Sequence, residues 1–531
     1  MLYDLQKYYI KQTDFQKWSL ILYPMHTLRH ILTVLAALVL AGPASLHATS
    51  PDRMEPKREF RGAWLHIVGN YEMRTMSQAD IRNWLSKTLD DLKSSGCNAV
   101  FFQVRPQADA FYPSELEPWT RYLTGEQGKA PDPLWDPLKY MIEQCHARGM
   151  ELHAWLNPYR VTSSTKEKLA EGHIYNRKPE LFKRYGSQIY FDPGKPESRQ
   201  QVVAVVKDIV TRYDVDGIHF DDYFYPYPEN GKDFPDADTF AEYGPAQGFG
   251  KSQKADWRRH NTALLVHEVN EAVKSIKPWV RFGVSPFGIH RNLSDTPDGS
   301  GSATNGLSCY HSLYADAPGW AEAGDVDYLV PQLYWKIGHK LADYETLVRW
   351  WDAQDLKGHL YIGQSIETLG ERDLKDPSKN QTGRKIELTR ELPHVCGNVW
   401  WPGWSISSDV NGIAKDLAGQ YQRHTALLPA YSDIDDIAPD PIKEIWLRRG
   451  NGIIRWNVEP TDDPLQEMHF YVIYKFSEEE SPDISDPTHI IAVTRDNWLF
   501  PDMTEHCRYV VTVVDRCWNE SAPSEVIDIF Q

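Results

Sequence analysis

The sequence predicts an α/β protein: a (β/α)8 TIM barrel followed by a small all-β, immunoglobulin-like sandwich. Three observations carry that expectation. Short apolar segments alternate with helix-period segments from about residue 60 to 425, which is the grammar of repeated βα units. Eight of these segments are strand-like, the number that closes a parallel barrel. Beyond residue 440 the hydrophobic period changes to two, with turn residues between the runs, as an antiparallel sandwich requires.

The strand candidates are 61–67, 98–105, 150–157, 215–222, 281–287, 326–335, 359–364 and 398–404. Each is apolar enough to be buried on both faces, as strands of a parallel sheet are. The intervening helices carry their own start and stop signals. Ser77 with Asp80 makes a capping box, Ile81, Trp84, Leu85, Leu89 and Leu92 form one apolar stripe, and Gly96 ends it. Leu138, Met141, Ile142 and Cys145 repeat the stripe before Gly149, and Val202, Val203, Val206, Ile209, Val210 and Tyr213 repeat it before the fourth strand. The barrel is expected over 57–426. Residues 427–440, with Pro429, Pro439 and several acids, read as a linker. The sandwich then occupies 441–531, with strands at 453–458, 469–476, 489–493 and 508–514.

The chain of 531 residues has room for both domains, and its net charge of −17 argues against a nucleic-acid partner. Residues 1–48 read as a leader. Arg29, an apolar run over 31–40 and the small residues Ala41, Gly42, Ala44, Ser45 and Ala48 form a secretory signal, with Met25 as the expected true start. The run is short for a membrane span and no Cys lies near the cleavage site, so export to the periplasm or medium without a stable membrane anchor is expected. The six cysteines match neither a zinc site nor a disulfide framework; Cys507 and Cys517 fit either a bridge or ordinary burial. No glycine-rich phosphate loop occurs and strand one lacks a His-x-His pair, so no cofactor or metal is expected.

Chemistry on such a barrel sits at the C-terminal ends of the strands. Asp221 and Asp222 close the fourth strand in VDGIHFDDYFYPYP, Glu367 follows the seventh, and Asp109 lies just past the second. Asp216, Asp325 and Asp327 open their strands and belong to the opposite end. Asp221, Glu367 and Asp222 are therefore the catalytic candidates. Arg105, Asp109, Asn157, Tyr159, Arg160, Tyr223, Gln332, Tyr334, Trp335, Trp401 and Trp404 are the substrate-binding candidates, with Gln107 and Ser285 at the same mouth. Tyr223, Phe224, Tyr225 and Tyr227 offer ring faces to pyranose C–H groups, and paired carboxylates beside aromatics are what glycosidic cleavage needs. The expected partner is thus a polysaccharide. His66, His153 and His219 are expected to be hydrogen-bonded barrel residues.

The pieces REFRGAWLH, FFQVRP, AWLNPYR, DGIHFDDYFYP, GVSPFG and PQLYW, in that order along the barrel, resemble the bacterial glycosyl-hydrolase-like family 10. The resemblance implies a glycoside hydrolase of the cell envelope, with peptidoglycan glycan strands stripped of their peptides as one substrate class. The tail resembles a fibronectin type III module, Trp456 and Tyr509 fitting its core pattern. GIHFD is also similar to the α-amylase-like barrels, which implies that Asp221 is the nucleophile with Asp222 beside it. Those barrels place an acid/base Glu after strand five, where this chain has Ser285, Pro286 and Phe287. The general acid then falls to Glu367, with Asp222 and Asp109 as alternatives. Two other functions stay open: a glycan-binding barrel that cleaves nothing, and a metal-dependent polysaccharide deacetylase, which needs His and Asp ligands gathered at one point.

Overall fold

The computed structural model describes residues 55–229, 231–369, 380–448 and 452–529; the leader, its signal segment and Met25 lie outside the described residues. No described helix is long and apolar enough to cross a membrane.

All eight anticipated strands form, and they close into one parallel barrel. They are β1 (Phe60–Leu65), β2 (Ala99–Arg105), β3 (Glu151–Leu156), β6 (Gly217–Phe220), β7 (Arg281–Val284), β8 (Tyr328–Leu329), β9 (His359–Ser365) and β10 (Val395–Trp401), which returns to pair with β1. An antiparallel hairpin, β4 (Phe182–Tyr185) and β5 (Gln188–Phe191), fills the long connection after β3 and is absent from the strand assignment made on sequence. The helix grammar holds. Ser77 Oγ accepts from Asp80 N at 3.2 Å at the start of α1 (Gln78–Ser94), which buries Ile81, Leu85, Leu89 and Leu92.

Alternation along the strands separates two apolar clusters. Ala63, Leu65, Phe102, Leu152 and Phe220 pack outward against the helices, while Phe60, Trp64, Phe101, Trp155, Tyr328, Tyr361 and Val399 fill the barrel. So many rings fit inside because glycines face them. A Cβ on Gly217 would collide with the His153 ring, and one on Gly283 with the Tyr328 ring.

The C-terminal strands make two antiparallel sheets. β11 (Glu444–Arg448), β12 (Ile453–Asn457) and β15 (Trp498–Leu499) form one; β14 (Ile490–Thr494), β13 (Met468–Ser477), β16 (Cys507–Asp515) and β17 (Ile527–Ile529) form the other. Ile454, Trp456, Tyr471, Ile473, Tyr509 and Val511 fill the space between them. The outer face of the four-stranded sheet, with Phe470, Val472, Tyr474 and Val510, shares an apolar cluster with the barrel interior. The sheet therefore seals the barrel floor. Leu427 and Leu428 belong to that seal, both fully buried, with Glu59 N donating to Leu427 O at 2.9 Å, so the stretch read as a linker begins inside the packed core.

Polar contacts tie the same faces together. Trp518 Nε1 and the Arg281 guanidinium both donate to Glu151 at the start of β3, and Arg516 pairs with Asp214 at 2.7 Å before β6. Every barrel group in these contacts lies at an N-terminal strand end, leaving the opposite mouth open. All six cysteines are free, Cys507 and Cys517 included.

Candidate active site

β6 ends at Phe220, and the alternation that aims His219 into the barrel aims Asp221 the same way, one step nearer the mouth. Asp221 is buried and surrounded by donors. Asn157 Nδ2 donates to its two oxygens at 2.9 and 3.0 Å, Trp155 Nε1 to Oδ2 at 3.2 Å, and Tyr223 N to Oδ1 at 3.4 Å. Burial pushes its pKa up to about 7; the charge of Asp222 adds to the rise, and the Arg160 guanidinium and these hydrogen bonds oppose it. Asp222 is also buried and also raised, by desolvation above all, while the Tyr227 hydroxyl and Gln332 donate to it. Gln332 Nε2 lies 2.9 Å from Ser285 O, which ties Asp222 to the end of β7.

Arg160 is placed by its neighbours. Asn157 Oδ1 accepts from Arg160 N at 2.7 Å, and the guanidinium lies 5.0 Å over the Tyr223 ring. Aromatic rings wall the mouth on both sides. Tyr223, Tyr227, Phe287 and Trp335 follow edge to face at 5.4, 6.1 and 5.5 Å, the last three half-buried. Opposite them, Trp155 meets Trp401 at 6.0 Å, and Trp401 meets His66 at 4.8 Å. Among the described residues His66 Nδ1 is buried without a partner, and desolvation lowers this imidazole to about 4, so it is neutral. Tyr334 stands half-buried, edge-on to Trp64 at 6.5 Å.

Below the carboxylates a polar column runs down the barrel. Ser285 Oγ and Trp64 Nε1 both lie 3.1 Å from His219 Nε2, His219 Nδ1 is 3.3 Å from the Tyr328 hydroxyl, that hydroxyl is 2.9 Å from His153 Nδ1, and His153 Nε2 is 2.9 Å from Glu151. His153 and His219 are therefore hydrogen-bonded barrel residues, in keeping with the reading of the sequence.

Of the anticipated site residues, Asp221, Asp222, Asn157, Arg160, Tyr223, Gln332, Tyr334, Trp335 and Trp401 gather at this mouth. Others do not. Arg105 is fully buried in a fork with Glu117, at 2.7 and 2.6 Å, and its remaining nitrogen donates to the Asn157 and Pro158 carbonyls. It therefore holds the loops after β2 and β3 and offers no surface to a sugar. Asp109 turns back, after the left-handed Ala108, onto Gln127 Nε2 at 2.9 Å and Gln107 N at 3.2 Å; burial raises it to about 6, but no partner of it touches the pair. Tyr159 packs in the helix-side core against Phe191, and Trp404 stacks on Trp84 of α1 at 4.6 Å. Glu367 stands exposed on the 3-10 turn Ile366–Thr368, without the burial that an acid role asks for. Phe224 and Tyr225 are core residues, against Trp320 and Phe234. Trp155 was missed, although its place two residues before Asn157 on β3 puts it on the same inward face.

Among the described residues one trio has metal-ligand spacing, His146, Asp216 and His469, with ligand atoms within 4.8 Å of one another. It lies at the floor, away from the carboxylate pair. Its groups already pair with one another and with Arg495: His146 Nε2 is hydrogen-bonded to Asp216 at 2.8 Å, His469 Nε2 lies 3.1 Å from the same carboxylate, and Arg495 donates to His469 Nδ1 at 3.0 Å. A cation would have to displace these bonds beside a guanidinium, so the trio reads as an interface clasp.

A parallel barrel with two buried, donor-ringed carboxylates and aromatic walls at its C-terminal mouth is the layout of a carbohydrate-active barrel. The chain belongs to the Glycosyl hydrolase-like 10 family, which it matches over residues 59–381. It is 37% identical over 481 residues to glycosyl hydrolase YngK of Bacillus subtilis (strain 168), covering 88% of this chain and 93% of that protein. It is 36% identical over 380 residues to glycosyl hydrolase DigH of Escherichia coli (strain K12), covering 66% and 84%. Solved structures similar to it include the PgaB (BpsB) glycoside hydrolase domain from Bordetella bronchiseptica, at 12% identity and a TM-score of 0.43, covering 69% of this chain and 99% of that one.

Proposed function

We propose that the chain is an exported glycoside hydrolase that cleaves O-glycosidic bonds of a cell-envelope polysaccharide, with peptidoglycan glycan strands as the leading substrate. The observation that carries this reading is the adjacent pair Asp221 and Asp222, buried, ringed by donors and flanked by half-exposed aromatics. Family membership and two relatives named glycosyl hydrolases support it. Export is supported by the signal-like run over 31–40 after Arg29. A fibronectin type III-like character of the C-terminal domain is supported by its two packed sheets and by the Tyr509 hydroxyl, which accepts from Asp502 N at 2.9 Å.

In the proposed reaction Asp221, raised to about 7, holds a proton near neutral pH and gives it to the glycosidic oxygen. The C–O bond breaks and its electron pair leaves with that oxygen. Ionised Asp222 faces the positive charge developing at the anomeric carbon. Water then adds to that carbon and returns its proton to Asp221, restoring the acid. The nucleophile role expected for Asp221 thus passes to its neighbour as electrostatic support, because burial works to keep the proton on Asp221. Trp401, Tyr334 and the Tyr227–Trp335 wall bind the sugars, and His66 Nδ1 is available to a sugar hydroxyl.

The test is release of soluble products, followed by mass spectrometry, from peptide-free peptidoglycan and a panel of other polysaccharides, comparing wild type with Asp221→Asn. Products from the wild type alone are the expected result. Binding without release by the wild type would favour a non-catalytic glycan-binding barrel, the reading for which the Ser285 at the end of strand five speaks.

A further inference from the structure

The second domain carries an open aromatic face that the barrel site does not use. In the three-stranded sheet Trp446 pairs with Arg455 across β11 and β12, and Arg455 pairs with Trp498 across β12 and β15. The three side chains therefore stand in one row across the sheet. Alternation sends Ile445, Leu447 and Trp456 inward to the sandwich core and leaves Trp446 39% and Trp498 37% exposed. Phe500 extends the row, 63% exposed and edge-on to the Trp498 ring at 5.3 Å. The layers beneath are accounted for: the four-stranded sheet seals the barrel floor, and the three-stranded sheet covers its other face. The Trp446–Trp498 row is the outermost surface, on the side away from the barrel.

We propose that this row binds an extended glycan strand whose sugars carry carboxylates. Two strand spacings put the indoles about 10 Å apart, about one disaccharide repeat of an extended glycan, so that every second sugar of one chain can meet a ring while the sugar between them lies over Arg455. Arg455 sits between them with no hydrogen bond or ion pair among the described residues, and its Nε is buried without a partner. A bare guanidinium between two indoles on a chain of net charge −17 is a local positive point suited to a carboxylate. Asn457 and Glu444, hydrogen-bonded to each other at 3.3 Å, add polar groups for sugar hydroxyls at the edge of the row. Aromatic and Arg side chains also serve protein interfaces, and what favours a glycan here is the linear order of the row, ring, cation, ring, at a spacing that a sugar chain repeats. The site holds the chain on an insoluble polymer while the barrel mouth, at the other end, remains free. This inference deepens the glycosidase reading by naming the acidic polymer as the ligand of a second site.

The experiment is co-sedimentation of the full chain with insoluble peptide-free peptidoglycan and with cellulose as a neutral polymer, in parallel with hydrolysis of soluble glycan fragments. Trp446→Ala, Trp498→Ala and Arg455→Gln are compared with wild type, their folding checked by thermal melting. The wild type is expected to sediment with peptidoglycan and not with cellulose. Each tryptophan variant should lose at least about tenfold in apparent affinity, and Arg455→Gln should lose binding too, while all three keep the soluble-fragment rate. Unchanged sedimentation of the variants, or equal binding to cellulose, would overturn the proposal. So would a concentration-dependent dimer that Trp446→Ala abolishes, since a second copy would then cover the face. Asp221→Asn should sediment as the wild type does while releasing no product, which separates the two sites; a wild type that binds through this row yet releases nothing sinks the hydrolase reading and leaves this one standing.

Discussion

Trp64 Nε1 donates to His219 Nε2 at 3.1 Å in the middle of the barrel, and that bond sets the protonation of a whole column. An indole N–H can only donate, so Nε2 must accept. His219 is buried and lowered well below the usual imidazole range, so it is neutral and carries its hydrogen on Nδ1, towards the Tyr328 hydroxyl at 3.3 Å. Tyr328 is then free to give its own proton to His153 Nδ1, and His153 Nε2 donates to Glu151. The column is polarised in one direction, from Ser285 beside the carboxylates to the floor that Trp518 closes.

Trp64→Phe should cost about 1–3 kcal/mol in urea denaturation, the penalty for weakening the pairing of a buried group. Ser285 Oγ, also 3.1 Å from His219 Nε2, remains as a donor, so nitrogen-15 NMR of the single variant should still find the Nδ1–H form. Adding Ser285→Ala should produce a mixture of tautomers.

Asp221→Asn should abolish turnover, a loss of about 10²–10⁴ in rate, and also change how stability depends on pH. The folded pKa of about 7 stands above the unfolded value of about 3.9, so the stability linked to this proton is complete below about pH 4 and is lost as pH rises towards 7. The variant removes that loss. It should be more stable than wild type at pH 8, by roughly 1–4 kcal/mol, and the difference should shrink to near zero at pH 4. Wild-type kcat/KM should fall as pH passes above about 7, where the acid loses its proton.

Removing one partner of the Arg105–Glu117 fork, as in Glu117→Gln, should destabilise the chain by about 3–5 kcal/mol, because a guanidinium would be left unpaired in the core. Thermal melting measures the loss. Glycan affinity of the folded fraction should stay at the wild-type value; a selective loss of affinity would restore Arg105 as a substrate ligand.

Asp222→Asn should lower turnover by about tenfold or more, whereas Glu367→Gln should keep most of the wild-type rate. Single-turnover hydrolysis of one defined glycan separates the two. A Glu367 variant as impaired as the Asp222 variant would mean that this exposed turn folds over the mouth when substrate is bound.

What was legible in the sequence was periodic. The eight barrel strands followed from their short apolar runs between helix-period segments, the stripe of α1 from its helical spacing, and the placing of Asp221, Asn157, Gln332 and Trp401 at one mouth from the rule that such residues sit where barrel strands end. What misled was position without direction. Arg105, Tyr159 and Trp404 lie at strand ends just as Asp221 does, yet they point to Glu117, Phe191 and Trp84, partners remote in sequence or hidden by an intervening turn.

The chain by itself determined the architecture, the two-domain order and the carboxylate-bearing end of the barrel, since local period and strand polarity are written in consecutive residues. Tertiary structure alone decided that Asp221 is raised to about 7, that Glu367 is exposed, that Leu427 and Trp518 close the floor, and that Trp446 and Trp498 share an open row. Desolvation, side-chain direction and cross-strand register depend on neighbours brought together by folding, and none of these is encoded within a single segment.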